Sequence, residues 1–173
     1  MKGTVFVCLR ELVIGASDEV TWRACILDAG FDPFTIFTPN SDVAEERTLP
    51  LITAICKRLN LTLVQAADAF GEHWVNVYSP RLYKHLYSKH KTSRAFFEDI
   101  NAMHQRLTRQ VPNARPPRFV LEWKNDKVLV MHYQSGRSLI DIAVGMARAI
   151  GRYYGEALEV TRVSDSELRI AFP

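Results

Sequence analysis

The stretch Val111–Arg137, "VPNARPPRFVLEWKNDKVLVMHYQSGR", is where the pattern of the chain changes. Before it, in "SRAFFEDINAMHQRLTRQV", Phe97, Ile100, His104, Leu107 and Val111 recur by threes and fours, a helical stripe with Ser93 placed as its cap. After Pro116-Pro117 the period drops to two. "RFVLEW" (118–123) and "KVLVMHY" (127–133) read as strands around a tight "KND" turn. A strand that began apolar then ends on Tyr133, Ser135 and Arg137, which period-two geometry sends to one face.

Working outward, the preceding residues read as helices. Val5, Cys8, Leu9, Leu12 and Val13 have helical spacing, although their β-branched members also permit a strand. Ser17 is placed to cap a helix through Trp22 and Ile26 that stops at Gly30, and "FDPFTIFTPNSD" is a proline-punctuated loop. A helix is expected from Pro50 to Leu59. Thr62 and Gln65 form a capping-box pattern opening a long helix through Phe70, Trp74 and Tyr78, which Pro80 should end. On the other side, a helix spans about Leu139 to Tyr154 and stops at Gly155, and "ALEVTRV" and "ELRIAF" are two more strands. The expected class is α+β, a helical front with an α/β back built on an antiparallel sheet.

Composition narrows the function. The chain has 173 residues, 47% of them apolar, enough for one core in one or two lobes. Its 22 basic and 19 acidic side chains leave only +3 with no basic block, so nucleic acid is not an expected partner. Cys8, Cys25 and Cys56 are scattered within apolar runs and read as reduced thiols of a cytosolic protein. There is no Cys-x-x-Cys pair for zinc or covalent haem, and no apolar run of membrane-spanning length.

Two features carry chemistry. His104 lies on the apolar stripe with no second histidine or carboxylate one turn away, which argues against zinc held by this helix alone. It is either a core histidine bonded to a carbonyl or the single axial ligand that haem iron requires. Tyr133, Ser135 and Arg137 are either a strand end turning polar or a cradle for an anion, Arg137 gripping a carboxylate with two hydroxyls beside it. Protohaem carries two propionates, and one such cluster could hold both. The near-copy Tyr78-Ser79-Pro80-Arg81 lacks the alternation and reads as a helix end, while His73, His85 and His90 read as solvated and His132 as facing away from Tyr133. No nucleophile elbow, phosphate loop or carboxylate pair is present, so no enzymatic role is expected.

Together "MKG", "AFGEHWV", the histidine of "NAMH", "PPRF" and Tyr-x-Ser-x-Arg resemble the H-NOX (haem-nitric oxide/oxygen binding) domains, which are related to the haem domain of soluble guanylate cyclase. The resemblance covers the whole chain. It implies a single domain with a helical distal lobe (about 1–62) and a proximal lobe (63–173) holding helices and a four-stranded antiparallel sheet, with non-covalent haem b between them. It further implies His104 as the iron ligand, Tyr133, Ser135 and Arg137 as the propionate clamp, Pro117 as the residue that distorts the porphyrin, and Trp74, Ile142 and Met146 on the gas-binding side. Oxygen-binding relatives place a tyrosine where Ile142 stands, so the expected ligand is NO, with CO as a substitute. On NO binding the iron–His104 bond would weaken and free its helix.

The implied setting is a bacterial cytoplasm. The output would lie in trans, in a histidine kinase or cyclic-di-GMP enzyme. The alternatives are an O2 sensor using the indole N–H of Trp74, and a haem-free small-molecule module of the 4-vinyl-reductase type.

Overall fold

Capping side chains set where several helices begin. A computed structural model describes residues 1–173. In it α1 (Gly3–Ala16) is helical throughout, and α2 (Glu19–Asp28) is capped by Asp18, whose carboxylate accepts from the Thr21 N–H at 2.7 Å, not by Ser17. A short 3-10 turn (Glu45–Arg47) leads into α3 (Thr48–Leu59), which starts two residues before the expected Pro50. The Thr62–Gln65 capping box opens α4 (Leu63–His73) as expected.

Pro80 does not end this helix. A π-turn at Trp74–Tyr78 intervenes, and Pro80 falls in the first turn of α5 (Ser79–Ser88). The wide turn resets the hydrogen-bond register there, and a first turn needs no N–H from a proline. The cap of α6 (Ser93–Gln110) is Thr92, one residue before the expected Ser93; its hydroxyl accepts from the Ala95 N–H at 3.2 Å. Ser93 is instead fully buried and donates to Glu156.

The period change at the proline pair marks the passage to strands. β1 (Arg118–Asn125) runs two residues further than expected and β2 (Val128–Gln134) starts one residue later; Asp126-Lys127 joins them, and the Asn125 side chain accepts from the Lys127 N–H and closes the turn. α7 (Ile140–Tyr153) follows and ends before Gly155, whose φ of +71° suits glycine. β3 (Glu159–Arg162) and β4 (Glu167–Ala171) complete an antiparallel sheet of order β1-β2-β4-β3. Alternation buries Leu129, Met131 and Tyr133 of β2 and Leu168 and Ile170 of β4 on one face, over which α7 packs.

The apolar side chains form two clusters. One joins the sheet's inner face to α6 and to Val144, Ala147 and Ile150 of α7. The other joins α1, α2 and α3. α7 serves both, because Ile142 and Met146 on its other side pack on the second cluster, and Trp74 touches both. α4 and α7 cross at backbone contact: a Cβ on Gly71 would lie 2.4 Å from the Gly145 carbonyl carbon, and one on Gly145 would lie 2.2 Å from the Ala67 oxygen.

Alanine in a helix interior normally gains about 1 kcal/mol over glycine. At this crossing the overlap is with backbone, which cannot rotate away, so the sign reverses. Gly71→Ala is expected to lower the unfolding free energy by about 2 kcal/mol in urea titrations; a gain would mean that the two helices part without loss.

Candidate functional site

A cavity of about 470 Å³ lies where the two clusters meet, a size suited to a cofactor or a small organic ligand. Most of its wall is hydrophobic. α1, α3 and the π-turn contribute Val5, Ile52 and Trp74, α6 contributes Ile100 and His104, and α7 contributes Ile142 and Met146. All five residues of the α6 stripe, from Phe97 to Val111, border it. The stripe identified by its helical period therefore faces a hollow, which is why His104, Ile100 and Leu107 are half-buried and not sealed in a core.

The His104 ring is fixed on one side. Its Nδ1 lies 2.8 Å from the Pro117 carbonyl oxygen. Burial pushes its pKa down to about 4, assisted by the charge of Arg118 and opposed by the Pro117 bond. The imidazole is therefore neutral at pH 7. Because a carbonyl can only accept, Nδ1 carries the proton and Nε2 keeps a lone pair, the form in which histidine binds a metal. One turn earlier on the same helix, Asn101 acts as a staple. Its side chain donates to the Phe119 carbonyl at 2.6 Å and accepts from the Phe119 N–H at 3.0 Å, while Arg118 donates to the Asn101 carbonyl at 2.9 Å. These bonds lock α6 to the start of β1.

The Tyr133, Ser135 and Arg137 set is not all on a strand. β2 ends at Gln134, paired with Arg118, because the residues before Arg118 are Pro116 and Pro117, which have no N–H to continue the ladder. A turn at Gly136-Arg137 follows. Tyr133 is buried and Arg137 nearly so, and both border the cavity. Ser135 lies in the turn, where its Oγ accepts from the Arg137 N–H at 3.4 Å, and it does not line the cavity. Arg137 donates from Nη1 to the Arg115 carbonyl and from Nη2 to Glu45 Oε1, each at 2.6 Å.

Pro117, Trp74, Ile142 and Met146 all border the cavity. Trp74 is stacked against Phe70, with ring centres 5.7 Å apart, and tilted against Tyr78 at 5.6 Å. The near-copy at 78–81 opens a helix and does not end one: Ser79 bonds the Tyr87 hydroxyl and Arg81 reaches Glu11. Two of the histidines read as solvated are not. The His90 side chain is only 7% exposed and sits 3.1 Å from Asp99, and His73 lies 3.2 Å from Glu11. His132 sits between Glu122 and Glu167 on the outer face of the sheet, away from Tyr133.

Three contributors escaped the sequence reading. Asn101 stands three residues before His104 on the same helix face, a signal that was present. Glu45 and Arg115 carried none, since Glu45 meets Arg137 across 92 residues. The wall can hold a mostly apolar ligand, with the His104 imidazole available to a metal and Arg137 to an anionic group.

Residues 2–162 match the family described as haem-NO-binding. Over 156 residues the chain is 24% identical to soluble guanylate cyclase gcy-32 of Caenorhabditis elegans, a match covering 88% of this chain and 23% of that one. The chain thus spans about a quarter of the length of that relative. The ferrous, unliganded H-NOX protein from K. algicida superposes with a TM-score of 0.88 at 19% identity, over 100% of this chain and 97% of that one. The H-NOX protein from S. oneidensis in its Fe(II)NO state gives 0.89 at 16% identity, over 100% and 99%. At these identities the superpositions show a shared fold.

The pKa of His104 sets a pH dependence. Folding lowers it from the ordinary 6.5 to about 4, so the unfolded chain binds the extra proton in between. Its contribution is complete above about pH 6.5 and falls away towards pH 4. Without ligand, the wild type is expected to lose about 1–2 kcal/mol more than His104→Leu between pH 7 and pH 5, read from urea titrations at both pH values. Equal losses would place the proton elsewhere.

Proposed function

The chain belongs to the haem-NO-binding family, the H-NOX domains of haem-based gas sensors, and we propose that it senses nitric oxide with a haem b held in this cavity by His104. The observation that carries the reading is His104 itself, a neutral imidazole on the cavity wall with Nδ1 committed to a carbonyl and Nε2 free to ligate. His104 Nε2 would hold the iron of a bound haem, which would supply the site for a diatomic gas. The apolar wall suits its macrocycle. Tyr133 and Arg137 from the wall, with Ser135 from the adjoining turn, would hold its carboxylates, and Pro117, which borders the cavity, would lie against the macrocycle.

Trp74, Ile142 and Met146 line the gas side. Ile142 and Met146 offer no hydrogen-bond donor, which supports NO and CO over O2, a ligand that needs one. The O2 reading rests on the indole N–H of Trp74 alone. Signalling begins at Nε2 of His104. Any change of load there passes through Nδ1 to the Pro117 carbonyl and, by the Asn101 staple, to the edge of β1. A ligand could shift such a junction only by binding a second position of α6 more tightly than the one described.

In this reading residues 1–62 form the distal lobe and 63–173 the proximal lobe. The chain acts as a sensor and not as a catalyst. It reports to a separate histidine kinase or cyclic-di-GMP enzyme in a bacterial cytoplasm, without nucleic acid. No helix is long and apolar enough to cross a membrane.

After haem-supplemented expression, the reduced protein is expected to show a Soret band that shifts with NO and with CO, and to form no lasting oxygen spectrum in air. A persistent oxygen spectrum would move the assignment to Trp74, and a colourless protein would end the haem reading. His104→Gly should lose haem and regain it with added imidazole; full retention without imidazole would remove His104 as ligand. Arg137→Ala should lower haem content, read from the Soret-to-protein absorbance ratio, and unchanged content would leave the clamp without support.

A further inference from the structure

Arg137 already has a carboxylate. Its Nη2 donates to Glu45 Oε1 and its Nη1 to the Arg115 carbonyl, while its Nε is buried with no partner. A carboxylate grips a guanidinium best through two adjacent nitrogens. Each terminal nitrogen keeps a second N–H, so a second carboxylate on either fork shares a nitrogen with Glu45, with the Arg115 carbonyl or with both, and lies beside the Glu45 charge. The carbonyl belongs to the backbone and cannot leave. Glu45 can, because its side chain is 46% exposed while that of Arg137 is only 13% exposed.

The segment around Glu45 would stay in place when the side chain turns away. Asp42 accepts from Lys2 at 2.7 Å and from Asn113 at 2.8 Å, and the Met1 ammonium donates to the Val43 carbonyl at 2.7 Å. That same ammonium stands 3.5 Å from Glu45 Oε1. Arg137 holds the Glu45 carboxyl below the usual carboxylate range, so at neutral pH it is an anion beside the place where other anions would come.

We propose that Glu45 competes with the carboxylates of the cofactor for Arg137, and so sets how firmly the cofactor is retained. The proposal rests on the haem reading above. It makes Glu45 a positioning residue of opposite sense to the clamp: the clamp holds the ligand, and Glu45 eases its release.

The test is haem transfer from the loaded protein to excess apomyoglobin. Glu45→Gln keeps the shape and removes the charge, and is expected to slow transfer about threefold, in keeping with a half-exposed ion pair. Glu45→Asp, which keeps the charge, should stay near the wild-type rate. With iron protoporphyrin IX dimethyl ester, which has no free carboxylates, wild type and Glu45→Gln should release at the same rate. Unchanged or faster haem transfer from Glu45→Gln, or an equal slowing with the ester, would overturn the competition and leave the haem reading standing. A wild type that takes up no haem would overturn both.

Discussion

The bond between the His104 imidazole and the Pro117 carbonyl is the constraint around which α6 and the start of β1 are arranged. A histidine facing a largely apolar cavity has to stay neutral and satisfy its N–H, and Pro117 supplies the acceptor at 2.8 Å. Proline suits this place for two reasons. It carries a carbonyl and no N–H, so it can accept from the helix and cannot extend the β1–β2 ladder. The same residue therefore ends the sheet, turns the chain and fixes the ring. Asn101 completes the junction by pairing with both backbone groups of Phe119, as a neighbouring strand would, so the edge of β1 is covered by a helix at that point.

The cavity exists because two apolar clusters meet without filling the space between them. α4 and α7 come into backbone contact at Gly71 and Gly145, and Trp74 and Met146 lie just beyond on the wall. α7 has a double amphipathic character: Val144, Ala147 and Ile150 pack towards the sheet, while Ile142 and Met146 turn to the other cluster. A polar seam runs along the other border, where Asp42 meets Asn113 and Glu45 meets Arg137. The two clusters are thus joined by glycines packed on backbone at one place and by exchangeable ion pairs and hydrogen bonds at another.

Much of this was legible in the sequence because it is local. The Thr62–Gln65 box, the stop at Gly155, the helical stripe of α6 and the change of period after Pro117 follow from rules acting over a few residues, and all appear in the fold. Two of the boundaries that differ are those where adjacent residues could serve equally. Ser17 and Asp18 are both good caps, as are Thr92 and Ser93, and the choice fell to the side chain that reached the free N–H three residues on, Asp18 to Thr21 and Thr92 to Ala95. Pro80 was misread because a π-turn, which has no sequence rule, moved the register beneath it.

By itself the sequence determined the class of fold, the stripe that carries His104 and the identity of the residues that can accept, donate or ligate, since these depend on periodicity and side-chain chemistry. Tertiary structure alone decided that the stripe borders a hollow, that Ser135 and Arg137 lie on a turn and not a strand, and that Glu45 reaches Arg137. The physical reason is range. Period and capping act within one or two turns, whereas a cavity and an ion pair spanning 92 residues arise only when separate elements are packed and compete for the same space and the same charge.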